Sequence, residues 1–249
     1  MEIPSPTKQR QPQENTLLAA LAVADFRRLA NDLELVPLTL GQSLYESGET
    51  MSHAYFPIDC VVSLLYVMKN GESAEIAVVG NEGVIGIALF MGGESTMSRA
   101  VVQNAGHAYR LKAQVFKDEF ASAGALSRLL LMFASALITQ MVQTAACNRH
   151  HSVDQQLCRW MLLSLDRLPS GRISMTEKLI GNMLGVGPTE VSQATAVLKK
   201  AGLIYYDSGE ITVLDRPGVE KRACECYGVV KNESDRLLPH SVGIHQRPA

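Results

Sequence analysis

The chain has no surplus of charge of either sign: 23 Lys and Arg stand against 25 Asp and Glu, a formal net charge of −2 at pH 7 over 249 residues. That excludes a whole-molecule basic field able to draw in a polyanion or a membrane surface, so any such partner must be held by local features. A paired-cysteine motif is also missing. The five cysteines, Cys60, Cys147, Cys158, Cys224 and Cys226, include no C-x-x-C, are odd in number, and follow an N-terminus with no signal-like apolar segment. Free thiols in a cytoplasmic setting are therefore expected. A long uninterrupted apolar run is lacking too. The best candidate, LLLMFASALITQMVQTAAC at 129–147, is interrupted by Thr139, Gln140, Gln143 and Thr144, well short of the roughly 20 apolar residues that cross a bilayer. A buried helix of a soluble protein is expected there, with no membrane partner. No motif fixes a nucleophile or an oxyanion hole near His53, Asp59, Ser98 or His107, so no catalytic residues and no enzyme activity are expected.

What is present is ordinary globular composition, 47% apolar and 19% charged, in a chain long enough for two domains. Residues 1–15, MEIPSPTKQRQPQEN, carry three prolines and no apolar period, which reads as a disordered tail. Leu17, Leu18, Leu21, Phe26, Leu29, Leu33 and Leu35 predict one or two short helices. From Val36 to about Lys112, short β-rich runs alternate with turn signals such as Asn70-Gly71 and Asn81-Glu82-Gly83. That spacing predicts an antiparallel sandwich or jelly roll, and residues 16–125 form the first domain.

A helical pattern then runs from about Leu126 to Arg167, within a linking segment of residues 126–168. Leu130, Leu137 and Thr144 recur every seven residues, with Phe133, Ala134, Ile138 and Met141 on the same face. Such a stripe suits a two-stranded seam between copies of the chain; the alternative is a helix laid on its own sheet. Pro169-Ser170-Gly171 breaks the pattern and opens a C-terminal domain, residues 169–249. Ser174-x-x-Glu177 has capping-box spacing, so a helix is expected from Met175 to Leu184, ended by Gly185. A second helix starts near Pro188, whose fixed φ suits a first helical position, and Val191, Ala194, Val197 and Leu198 give it an apolar face. Two short helices about a glycine turn are a helix-turn-helix. The hairpin Leu203–Leu214 makes it winged, and a last helix is expected from Pro217 to Leu238.

This order of elements resembles the Crp/Fnr family of bacterial transcription regulators, over roughly residues 36–238. The similarity is strongest in CNRHHSVDQQLCRWMLLSLDRLPSGRISMTEKLIGNMLGV (147–186) and ITVLDRPGVEKRACECY (211–227), which look like a subgroup with no assigned effector. The resemblance implies an α+β fold: an N-terminal antiparallel β-roll (jelly roll) like that of cyclic-nucleotide-binding domains, a long dimerisation helix and a C-terminal winged helix-turn-helix. It further implies a homodimer on pseudo-palindromic double-stranded DNA, its second helices in successive major grooves. RNA polymerase enters as a candidate partner.

Carried onto this chain, the DNA-binding residues would be Thr176, Thr189, Glu190, Ser192, Gln193, Lys199 and Lys200. Family members usually place arginine near the positions of Gly187, Pro188 and Gln193, and this chain has none there. Bidentate arginine-to-guanine contact cannot be made from those positions, although Glu190 could accept from cytosine and Gln193 could pair with adenine. From Arg172 to Asp215 four basic residues (Arg172, Lys178, Lys199, Lys200) face five acidic ones (Glu177, Glu190, Asp207, Glu210, Asp215), so phosphate neutralisation is weak. The rival reading is a sensor or interaction dimer whose winged helix has lost or weakened DNA binding.

By the same resemblance an effector site would fall at Glu82, Gly86, Ser98, Arg99 and Ala100. Gly86 is followed by Ile87 rather than the ribose-gripping glutamate of cyclic-nucleotide members, so cyclic AMP is not expected and no cofactor is predicted. Cys147, His151 and Cys158 share a helical stripe, with His150 beside them, and packing rather than a metal is expected. Cys224 and Cys226 are expected on different helix faces as inert thiols.

Overall fold

The computed structural model describes residues 10–168 and 172–238. The tail at 1–9, the Pro169-Ser170-Gly171 break and residues 239–249 lie outside the described residues. Helices α1 (Thr16–Ala19) and α2 (Val23–Ala30) precede strands β1 (Glu34–Leu38), β2 (Ser43–Tyr45), β3 (His53–Pro57), β4 (Val61–Val67), β5 (Ser73–Val79), β6 (Ser98–Asn104) and β7 (Gly106–Lys112). The segment before α1 is ordered by named contacts. Asn15 is fully buried, accepts from the N–H groups of Leu17 and Leu18, and donates to the carbonyls of Pro57 and Gly83 at 3.0 and 2.9 Å. Arg10 pairs with Asp59 at 3.0 Å. The expectation of a disordered tail is thus corrected for residues 10–15, whose polar side chains cap α1 and cross-link the roll.

The strands form two antiparallel sheets, ordered β1-β7-β3 and β2-β6-β4-β5, and Phe56, Leu111, Val62 and Val79 from both share one core. Gly71 turns β4 into β5 with φ +86°, as Asn70-Gly71 predicts. Gly83 is needed for a different reason: a Cβ there would lie 2.2 Å from the Phe133 ring. The roll therefore packs backbone against the following helix. Those helices are α3 (Ala113–Ala121), α4 (Ala125–His150) and α5 (Val153–Leu165).

One helix from Leu126 to Arg167 was expected, and two are found. The Gln155 side chain accepts from the Ser152 backbone N–H at 3.2 Å, so Ser152 starts α5 just after α4 ends at His150. The predicted seam is also corrected. Leu130, Phe133, Ala134, Leu137 and Thr144 are buried, the first four within the core of the roll, and only Ile138 of that set is exposed. The stripe left open on α4 is Leu131, Ile138 and Val142, 57%, 49% and 63% exposed. It lies one position around the helix from the heptad read in the sequence. Helix α4 is long and apolar enough to cross a membrane, with mean hydropathy 1.6, but its apolar inner face is core.

A second core forms on the opposite side of β4 and β5, where Val61, Leu65 and Val78 join α5 and the C-terminal half. That half comprises β8 (Arg172–Ser174), α6 (Glu177–Leu184), α7 (Pro188–Lys200), β9 (Ile204–Asp207), β10 (Glu210–Val213), α8 (Arg216–Arg222) and α9 (Glu225–Leu237). The wing has three strands, ordered β8-β10-β9, rather than a bare hairpin. Ser174 does not cap α6, because it pairs with Glu210 in that sheet; Thr176 is the N-cap, accepting from Leu179 N–H at 3.4 Å. The expected last helix is likewise two, since Ala223 and Cys224 adopt extended backbone between α8 and α9.

Candidate functional site

The turn between α6 and α7 is built by glycine. Gly185 sits at φ +69°, and a Cβ on Gly181 would lie 2.8 Å from the Val186 carbonyl oxygen, so the two helices close tightly. Val191, Ala194, Thr195 and Leu198 bury one face of α7. The opposite side presents Thr189, Glu190, Ser192 and Gln193. Part of that set is engaged within the chain. Glu190 accepts from the Gly187 N–H at 2.8 Å, the Ser192 hydroxyl donates to Glu177, and Lys199 donates to the Tyr206 carbonyl at 3.1 Å. Thr189, Gln193 and Lys200 make no side-chain hydrogen bond among the described residues. Arg222 stands beside Glu190, Gln193 and Val197 around a surface groove, paired with Asp154 at 2.9 Å.

The start of α7 also faces the roll. Gly185 packs on Ala74, where a Cβ would stand 3.3 Å from it, and a cleft of about 510 Å³ separates Gly187 and Glu190 from Tyr66, Met68 and Glu72 of the β4–β5 hairpin. The hairpin of the first domain thus touches the turn that aims the second helix.

The five residues of the expected effector site fall into separate arrangements. Glu82 is turned to the segment just after α5, pairing with Arg167 at 2.6 Å with both side chains largely buried. Arg99 lies 3.3 Å from Glu46, an ion pair without hydrogen-bond alignment. Gly86 takes φ +105°, Ser98 donates its backbone N–H to Thr96, and Ala100 is fully buried. The two charged members are each held by a partner within the chain.

Two clusters escaped the sequence. In the first, Cys147, His151, Cys224 and Cys226 bring their ligand atoms within 4.8 Å of one another, whereas Cys158 packs in the second core. The Sγ atoms of Cys147 and Cys224 are 3.5 Å apart, and Cys226 Sγ is 3.5 Å from His151 Nδ1. The contact with Cys147 holds the Cys224 thiol below its ordinary value, and the same contact together with burial pushes Cys147 up. Burial pushes Cys158 and Cys60 up to about 12. The helix breaks at His151 and Cys224 create this cluster. The capping-box spacing Ser152-x-x-Gln155 is a signal that could have marked the first break, which the periodicity overrode; nothing in Ala223-Cys224-Glu225-Cys226 signals the second.

The second cluster is a buried polar chain between roll and C-terminal half. Ser63 Oγ lies 2.6 Å from Glu75 Oε2 and 3.0 Å from Gln103 Oε1, and Gln103 donates to Ser164 at 2.8 Å. A serine has one hydroxyl proton and cannot give it to both acceptors. If Glu75 is protonated it donates to Ser63, Ser63 to Gln103 and Gln103 to Ser164, and every link is satisfied. Burial pushes the Glu75 carboxyl up to about 7 despite Arg159 and Arg167 nearby.

A β-roll joined through a long helix to a winged helix-turn-helix, with an exposed polar start to its second helix, defines a DNA-binding transcription regulator rather than an enzyme. Residues 35–123 match the family profile described as a cyclic nucleotide-binding domain, and residues 155–222 match that of a Crp-like helix-turn-helix domain. Together these cover well over half of the chain, which belongs to the Crp/Fnr family. In fold it is similar to a putative transcriptional regulator of the Crp/Fnr family from Eubacterium rectale: TM-score 0.67, 12% identity, over 84% of this chain and 98% of that one. FixK2 from Bradyrhizobium japonicum gives 0.63 at 16% identity over 77% and 98%. TTHA1359, a transcriptional regulator from Thermus thermophilus, gives 0.59 at 20% identity over 76% and 98%. At such identities the likeness concerns the fold. No curated protein matches the sequence.

Proposed function

We propose that the chain acts as a cytoplasmic homodimer that reads a pseudo-palindromic DNA site with α7, under control of its β-roll. The observation that carries this reading is the placement of Thr189 and Gln193 on the open face of a glycine-turned, proline-started second helix. Such a helix, with Thr189 and Gln193 free near its N-terminus, is the element that enters a major groove. The open stripe of Leu131, Ile138 and Val142 on α4 supports the dimer: its seven- and four-residue steps suit a two-helix seam. Direct packing of the β4–β5 hairpin on Gly185 supports control through the roll, because a shift in the hairpin re-aims the start of α7. Contacts to phosphate fall to backbone N–H groups, hydroxyls and Lys200, so affinity is low and its salt dependence shallow.

One observation favours the second reading, an interaction dimer with weakened DNA binding: Glu177 and Glu190 place carboxylates beside the reading face. The experiment is a titration of the purified protein against a genomic fragment library at about 50 and 200 mM salt, the range over which phosphate-dominated binding falls about a thousandfold or more. Enrichment of a palindrome supports the regulator. No retention at the lower salt supports the interaction dimer.

A further inference from the structure

At the corner where the long helix ends, four ligand-type side chains from two distant segments converge. Cys147 is in the last turn of α4, His151 has left that helix, Cys224 is the N-cap of α9, and Cys226 follows two residues on. The three cysteines are almost completely buried, at 0%, 5% and 1% exposure, and form an apolar cluster of their own apart from both main cores. The His151 side chain is the more accessible edge, 17% exposed.

The spacing suits a single ion. A tetrahedral zinc with bonds of about 2.3 Å to sulfur and about 2.0 Å to nitrogen has ligand edges of roughly 3.7 Å between sulfurs and roughly 3.5 Å from sulfur to nitrogen. Here Cys147 and Cys224 are separated by 3.5 Å, Cys226 and His151 Nδ1 by 3.5 Å, and no pair of ligand atoms exceeds 4.8 Å. A polynuclear iron–sulfur cluster spreads its ligands over several irons and needs more room.

The surroundings fit as well. His151 Nε2 lies 3.2 Å from the Glu225 carboxylate, which fixes the ring with Nδ1 toward the sulfurs; a carboxylate behind a histidine is the usual outer partner of a metal ligand. Gln143 donates to Cys226 Sγ at 3.1 Å. Arg159, 5% exposed, donates to the Thr144 hydroxyl at 3.1 Å, one turn before Cys147, and its Nε makes no hydrogen bond among the described residues. Zinc with three thiolates and a neutral imidazole carries one negative charge, which a guanidinium on this side of the cluster would offset.

We propose that Cys147, His151, Cys224 and Cys226 form a zinc site that clamps the end of α4 to α9, tying the long helix to the C-terminal domain. On binding, Zn²⁺ displaces the thiol protons of the three cysteines to solvent, while His151 coordinates as the neutral imidazole through Nδ1. The site stands whether or not α7 reads DNA.

The test uses the full chain purified under reducing conditions. Metal analysis should find one zinc per chain, and Co²⁺ added to the zinc-stripped protein should give the visible bands of a tetrahedral ion with thiolate charge transfer. Cys226→Ser should abolish those bands, Glu225→Gln should weaken zinc about tenfold, and Cys60→Ala, outside the cluster, should change neither. Should the serine variant not fold, alkylation of the wild type followed by mass spectrometry replaces it: zinc should protect Cys147, Cys224 and Cys226. A folded, reduced chain that gives no tetrahedral cobalt spectrum overturns the proposal. So does a spectrum that survives Cys226→Ser, a lack of zinc protection, or a Cys147–Cys224 disulfide in place of metal.

Discussion

Raising the pH from 4.5 to 8 should cost the folded chain about 3 kcal/mol through one side chain, Glu75. Glu75 is 8% exposed and burial pushes its carboxyl from 4.5 to about 7; each unit of displacement corresponds to about 1.4 kcal/mol. The sign follows from where the proton sits. Between 4.5 and 7 the folded chain keeps the Glu75 proton while the unfolded chain releases it, so stability is full below 4.5, falls across that window and levels off above 7. Glu75→Gln preserves the shape and the donor to Ser63 without the ionisable proton. At pH 8 it should be more stable than the wild type by up to about 3 kcal/mol, or roughly 6 to 12 °C in Tm for a chain of this size, and near-equal at pH 4.5. The assay is urea unfolding at a series of pH values, followed by the fluorescence of Trp160, the single tryptophan, which is 2% exposed. Subtracting the variant's curve from the wild type's removes the six histidines, which titrate in both. Parallel curves, or a glutamine variant less stable throughout, would refute the protonated chain from Glu75 to Ser164.

Gly187→Arg should raise DNA affinity and steepen its salt slope by about one unit, because φ at Gly187 is an ordinary −71° and the added side chain displaces only the flexible end of Glu190; unchanged binding would mean that α7 does not face the groove. Ile138→Glu with Val142→Glu should shift the protein to monomers in light scattering while leaving its circular dichroism intact, since both side chains point away from the roll. Gly83→Ala should lower stability by about 1 to 3 kcal/mol by forcing a methyl into Phe133, whereas Gly228→Ala on α9, with nothing within 4 Å, should raise it by up to about 1 kcal/mol; thermal melts separate the two.

The architecture was legible because it rests on local chemistry. Asn70-Gly71 could only turn, Gly185 and Pro188 could only end one helix and start the next, and the period-two runs between Val36 and Lys112 had one face to bury. Those signals act within a few residues, so the sequence carries them whole. It also set the composition of the reading face, polar and without arginine, which no packing can change.

Other features depended on which surfaces meet. The heptad of Leu130, Leu137 and Thr144 was a real apolar stripe, but periodicity says only that a face is buried, and here the roll buries it, leaving Leu131, Ile138 and Val142 open. Glu82 and Arg99 looked like members of one pocket until Arg167 and Glu46 took them separately. The thiols of Cys147 and Cys224, 77 positions apart, meet because two helices break where the chain turns back on itself. Sequence fixes local conformation through short-range sterics and hydrogen bonding; partners so far apart along the chain are chosen only when the two cores close and decide which faces water never reaches.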